Sequence, residues 1–417
     1  MSECDPTPRR NSRRAQRLAV HTRACLLWGA GFFIAAHVAL LVGTQGRWPQ
    51  LRDPEFGYKL NSLRQQTEAE PDRPLLVFLG SSRTGQGMRL GVVPAQTTPD
   101  GRTLMTYNFS QVGSGPLGEL VCLRRLLDAG IRPNWLAIEV LPPLLGRGSD
   151  AVGDPKVGVS RLTWNDVSQL RRYVPQPFAL AHHWFKAQLT PWHAHRFSIM
   201  NHYASNWLPW RLRLDHWKAL DARGWSDLGL DTEIPVKNPA AFQVAHDTYV
   251  EELKHFAIAP MQDRALHDML ALCRQEGIPT VLYLMPEGRL FQSWYVPPTR
   301  ACIDQYLTQL SQECNVPIID ARNWIGDDYF LDSHHLDRRG ATHFTRRFGA
   351  EVIPQLVAGR LDRLSSLFVP IHAPYPKEER EPASRMQAQG RSARPLAPPL
   401  AINGGKTPAE SPKKSGE

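Results

Sequence analysis

The chain has 417 residues, 42% of them hydrophobic and 21% charged, a balance that suits a globular protein with a real core. Its formal net charge of +9 sits mostly in the flanks: residues 1–23 carry six Arg against Glu3 and Asp5, and residues 371–417 carry eight Lys or Arg against five Glu. The nearly neutral middle argues against a nucleic-acid-binding core, which would need a concentrated basic face, so no nucleic-acid partner is expected.

In chain order, residues 1–23 read as a basic cytoplasmic tail. The run Ala24 to Gly43, "ACLLWGAGFFIAAHVALLVG", is about as long as a bilayer-crossing helix needs to be, with His37 as its strongly polar side chain. The arginines before it place the N-terminus inside and the rest outside, giving a single-pass membrane protein with an extracytoplasmic C-terminal domain. A cleaved signal peptide is the rival reading, against which the length of the run and the lack of an Ala-x-Ala site both speak. Residues 44–73, polar and holding Pro49, Pro54 and Pro71, read as a stalk with one short helix.

A domain over residues 74–370 follows. Strand-like runs occur at Leu75–Leu79, Thr103–Tyr107, Trp135–Val140, Thr280–Met285 and Val316–Ile319. Between or after them, Leu266, Met269, Leu270 and Cys273 fall at i, i+3, i+4 and i+7. Ile303, Tyr306, Leu307 and Leu310 repeat that spacing, as do Ala341, Phe344, Thr345 and Phe348, and each set marks an apolar helix face. Short apolar strands alternating with such helices imply an α/β fold, a flavodoxin-like three-layer sandwich around a central parallel sheet. From about residue 144 to 260 the alternation stops. This stretch holds Trp164, Trp184, Trp192, Trp207, Trp210, Trp217 and Trp225 and reads as a mostly helical insertion, its tryptophans either core or a wall against sugar. Residues 371–417, rich in Pro, Ser and charge, read as a disordered tail. Cys4 and Cys25 fall in the tail and the anchor. Cys122, Cys273, Cys302 and Cys314 form no Cys-x-x-Cys pair, so free buried thiols are favoured over disulfides, and neither a metal nor a cofactor is expected.

The first strand runs into Gly80-Ser81-Ser82-Arg83, and the question is whether a hydroxyl there is a turn residue or a nucleophile. A serine nucleophile needs a base, and the base an orienting acid. "YFLDSHHLDRRGATHF" supplies both: Asp332 and His335 stand three residues apart just before a helical pattern, with His334 as an alternative base and a helix cap as the plainer role for Asp332. At these residues the chain resembles the SGNH (GDSL-like) hydrolase superfamily, whose serine sits in a Gly-x-Ser turn after the first strand and whose acid and base form a late Asp-x-x-His motif. The resemblance implies Ser82 as nucleophile, His335 as base and Asp332 as acid. It also aligns "YNFSQVGSG" with the family's second block, Asn108 ending the second strand and Gly113 joining the Ser82 N–H in the oxyanion hole. The third block, Gly-x-Asn-Asp, is missing: "LAIEVLPPLL" puts Pro142 and Pro143 where a donor is expected. Arg83 and Asn108 are candidate substrate-binding residues, Arg83 toward an acidic group or else in an ion pair, while Glu139 within its strand reads as paired structurally.

The layout, an anchor followed by Gly-Ser-Ser-Arg, is similar to exported SGNH-like proteins of polysaccharide O-acetylation. The resemblance implies an acyl-ester hydrolase or O-acetyltransferase acting on an acylated carbohydrate. The alternatives are an inactive carbohydrate-binding protein, and an assembly factor whose Trp-rich insertion docks on a membrane protein.

Overall fold

Five runs become strands: β1 (Leu75–Leu79), β2 (Met105–Asn108), β3 (Trp135–Glu139), β4 (Thr280–Leu284) and β5 (Ile318–Asp320). All neighbours pair in parallel, in the order β2-β1-β3-β4-β5. That is the flavodoxin-like order of an α/β fold, with its direction reversing at β1. The computed structural model describes residues 9–146, 158–209, 212–218, 220–225 and 239–361.

Both faces of the sheet are covered, which is why its strands are continuous apolar runs and not alternating ones. Leu75, Val77 and Leu79 of β1 enter one core with helices α4 (Pro116–Asp128), α10 (Pro260–Gln275) and α11 (Pro297–Cys314). Leu76 and Phe78 enter a second core, under α12 (Arg338–Glu351) through Phe344 and Phe348. The i, i+3, i+4 stripes read from the sequence are the buried faces of α10, α11 and α12.

Residues 44–73 do not form a stalk. Pro54–Ala69 is a four-turn helix, α2, whose Phe56, Leu60 and Leu63 are buried in the first core beside β1. Pro54 stands in its first turn, where the missing N–H costs nothing, and the Asp53 carboxylate caps it by accepting from Phe56 N–H. Prolines that read as breakers therefore mark a helix start.

The apolar N-terminal segment lies in a 34-residue helix, α1 (Arg9–Val42), whose side chains are solvent-exposed from Ala19 to Ala36. Residues 19–47 are long and apolar enough to cross a membrane. Helix α3 (Ser82–Gly87) begins at the tip of β1. Between β3 and β4, the described part of the insertion is helical: α5 (Trp164–Leu170), α6 (Pro177–Leu189), α7 (Pro191–Ala194), α8 (Arg196–Ala204) and α9 (Pro239–Lys254) are its main elements. Its tryptophans divide. Trp217 and Trp225 are buried, Trp184 is half-buried against the core, and Trp164, Trp192 and Trp207 are exposed. Trp210 and the expected disordered tail, residues 371–417, lie outside the described residues. Cys122, Cys273 and Cys314 are free and buried.

Candidate active site

The three segments singled out in the sequence meet at the C-terminal edge of the sheet, where open α/β folds build their sites. Gly80 ends the apolar run because nothing larger fits: a Cβ there would lie 2.6 Å from Glu139 Oε2 and 2.5 Å from Thr84 Oγ1. The two serines after it have separate tasks. Ser81, buried, caps α3 by accepting from Arg83 N–H at 3.1 Å. Its own N–H and Oγ–H donate to Glu139 Oε2 at 2.8 and 2.9 Å, and Thr84 Oγ1 donates to the same oxygen at 2.8 Å. Glu139, at the end of β3, thus gathers the turn around itself.

Ser82 faces the other way. Its Oγ lies 2.9 Å from His335 Nε2, and His335 Nδ1 lies 2.8 Å from Asp332 Oδ2. Because the carboxylate can only accept, Nδ1 carries the proton and Nε2 is left to accept from the Ser82 hydroxyl. The second carboxylate oxygen, Oδ1, accepts from the backbone N–H groups of His334 and His335 at 2.8 and 2.7 Å, so one side chain fixes both the ring and the turn that bears it. Burial would raise the Asp332 pKa. The His334 and His335 imidazoles and the backbone N–H outweigh it and hold the carboxyl well below the usual carboxylate range.

The loop bearing this pair is anchored independently. Leu331 N–H donates to His335 O at 2.9 Å, and Gly288 N–H donates to Ser333 O at 3.0 Å. The cap of α12 is Asp337, which accepts from Gly340 N–H at 2.7 Å, so Asp332 is not spent on that role. His334 is buried and stacked on Phe291 at 5.0 Å with its edge toward Tyr249. Asp332, His334 and His335 each bring a potential ligand atom within 4.8 Å of the others. Both ring nitrogens of His335 are already engaged, so an ion bound there would have to break its contact with either Asp332 or Ser82.

Gly113 lies on the loop after β2 with φ 72°, a left-handed conformation that glycine adopts without strain. The loop is held from below by α2. Lys59 Nζ donates to Ser110 O at 2.6 Å, and Glu55 Oε1 accepts from Val112 N–H at 2.8 Å. Burial pushes Glu55 up to about 7, with Lys59 pulling against it, and the same burial lowers Lys59 to about 8. Sequence reading missed this pair because it lay in the supposed stalk. Its trace is the i, i+4 spacing of two opposite charges on one helix.

Neither expected substrate-binding residue reaches a cleft. Arg83 is 1% exposed, and its guanidinium donates to the carbonyls of Met285 and Pro286 and pairs with Glu287 at 3.4 Å and Glu139 at 3.8 Å. With these contacts Arg83 ties α3 to the loop after β4, and its buried Nε, 3.8 Å from Glu139, makes no hydrogen bond. Burial raises the Glu287 pKa, against the pull of Arg83. Asn108 is fully buried: its Nδ2 donates to Thr84 O and Met88 O, and its Oδ1 accepts from Ser110 N–H. It fastens β2 to the helix of Ser82. The third-block region forms a short buried helix, Pro142–Leu145, with no side-chain donor.

No curated protein matches the chain. A family model that carries no description matches residues 243–357, which include Asp332 and His335. Among solved structures, the chain is similar to a Bacteroides fragilis NCTC 9343 protein provisionally named an acylhydrolase, at 11% identity and a TM-score of 0.30, with 73% of this chain and 98% of that one covered. At that TM-score the likeness assigns neither fold nor chemistry.

Proposed function

We propose that the chain is an exported, membrane-anchored serine acyl-ester hydrolase or O-acyltransferase whose substrate is an acylated carbohydrate. The observation that carries this is the continuous chain from Ser82 Oγ through His335 to Asp332 at 2.9 and 2.8 Å. In this reading Ser82 attacks the ester carbonyl as His335 Nε2 takes its proton. The tetrahedral intermediate collapses to an acyl-serine as His335 returns that proton to the leaving alcohol, while Asp332 holds the imidazole in the needed tautomer. Water as the second acceptor gives an esterase, and a sugar hydroxyl gives a transferase. The oxyanion would be met by the backbone N–H groups of Ser82 and Gly113. With no third-block donor, turnover should be slow, since one missing donor typically costs about 100–1,000-fold.

A serine-reactive fluorophosphonate, followed by peptide mapping, tests the chemistry: label on Ser82 supports it. A folded protein that stays unlabelled, and whose hydrolysis of p-nitrophenyl acetate is indifferent to Ser82→Ala, leaves a carbohydrate-binding or assembly protein. Export is tested separately. A reporter active only in the cytoplasm, fused after Pro370, should be silent, and activity there would overturn the topology.

A further inference from the structure

Helix α6 is apolar on both sides. Leu180 and Trp184 face the core, while Phe178, Phe185 and Leu189, at i, i+7 and i+11, form a stripe on the opposite face and are 79%, 58% and 57% exposed. Trp192 of α7 and, beyond α8, Trp207, which is 82% exposed, add further exposed aromatic area in the same segment. Exposed apolar surface of this kind marks an interaction site.

The position of the stripe says what covers it. Helix α7 packs against α1. Along α1, exposure gives way first at His37 and then at Leu40 and Leu41, all within the apolar run 24–43. At the end of that run Gln45 Nε2 donates to Gln188 Oε1 of α6 at 2.9 Å, and Arg52 Nη1 donates to the carbonyls of Thr44 and Gln45 at 2.9 and 3.1 Å. The surface bearing Trp192 therefore lies beside the last turns of the anchor, at the depth where a bilayer's headgroups begin. Residues 171–218 also hold seven Lys or Arg against one acidic residue, Asp215. Aromatic residues beside basic ones suit the boundary between acyl chains and anionic headgroups.

We propose that α6, α7 and the turn after α8 form a platform that rests in the interface of an anionic lipid bilayer, with Phe185, Leu189, Trp192 and Trp207 as the inserted side chains. The proposal rests on the reading of residues 24–43 as a membrane anchor.

The test uses the full chain reconstituted into vesicles of phosphatidylcholine and phosphatidylglycerol, with and without brominated acyl chains that quench nearby indoles. Trp28→Phe/Trp48→Phe removes the indoles of the anchor and its exit. In that background bromolipid should still quench, and adding Trp192→Phe and Trp207→Phe should remove more than half of the remaining effect while thermal melting stays unchanged. If Trp28→Phe/Trp48→Phe alone abolishes quenching in a protein that still floats with the vesicles, the platform is overturned and the anchor stands. If the wild-type chain neither floats nor quenches, the anchor reading fails and the platform with it. If Trp192 and Trp207 are shielded from aqueous acrylamide in native membranes but not in pure lipid vesicles, the occupant is a membrane protein and the lipid proposal is overturned.

Discussion

The C-terminal edge of the sheet and the outer face of the insertion invert each other. At the edge, polar and charged groups are inside: Ser81, Arg83, Asn108 and Glu139 are all nearly inaccessible, and nearly every one of their bonds goes to another part of the same turn or its neighbours. On α6 and α7, large apolar groups are outside and face water. The first arrangement costs desolvation and yields one fixed geometry, as a reacting centre requires. The second leaves apolar area in water until something covers it. One region turns its polar groups inward, and the other turns its apolar groups outward.

The largest effects should come from the edge. Ser82→Ala and His335→Ala should each lower p-nitrophenyl acetate hydrolysis by at least about a thousandfold, and the double variant should be no worse than either, because the pair acts as a unit. Asp332→Asn should cost about a hundredfold or more by releasing the imidazole from its tautomer. Progress curves on purified variants with unchanged circular dichroism check all three. If Ser81→Ala is the inactivating change instead, the division of labour between the serines is reversed.

Next come effects on stability. Gly80→Ala forces a methyl into Glu139 and Thr84 and should lower the unfolding free energy by about 1–3 kcal/mol, measured in urea. Glu55 gives a pH signature. Folded, it keeps its proton up to about 7, whereas the unfolded chain releases it near ~4.3. Between those values the native state binds more protons, so this group makes stability fall as pH rises. Glu55→Gln keeps the acceptor for Val112 N–H and removes the titration, so melting temperature should decline less across that window than in wild type. An identical pH profile would show that the Glu55 carboxyl is not perturbed.

The smallest effect belongs to the other region. Phe185→Ser, in water or detergent, should change stability by no more than about 0.5 kcal/mol, as expected of a surface side chain away from the core. A loss as large as that of Gly80→Ala would break the comparison, since the stripe would then be part of the core.

The same contrast explains what could be read from the sequence. Strands and helix faces were legible because burial on both sides of a sheet leaves unbroken apolar runs, and burial of one helix face leaves a 3.6-residue period. The Ser82, His335 and Asp332 contacts were legible through the resemblance of Gly80-Ser81-Ser82 and Asp332-x-x-His335 to the SGNH motifs, which implied those three residues. Arg83 and Asn108 were misread because a charged or amide side chain at a strand tip has the same spelling whether it faces a ligand or a carbonyl, and only three-dimensional neighbours decide. The role of α2 was hidden because Phe56, Leu60 and Leu63 are the large apolar residues of its buried face and Glu55 and Lys59 are buried beside them, with a proline at its start. The exposed stripe on α6 was not legible because hydrophobicity records a preference for leaving water, not the partner that makes it possible.

The absence of a stalk has a mechanical consequence. A flexible linker of 30 residues would let its domain roam over roughly 30 Å. Here α2 is sunk in the core within a dozen residues of the anchor, and Arg52 grips the anchor's last carbonyls. If residues 24–43 cross a membrane as proposed, a domain held this way has almost no lever arm. On the proposed function Ser82 would then stay at one height and one bearing, so substrate would have to be delivered to it, and the reaction would be confined to a thin layer of space set by the length of the protein itself.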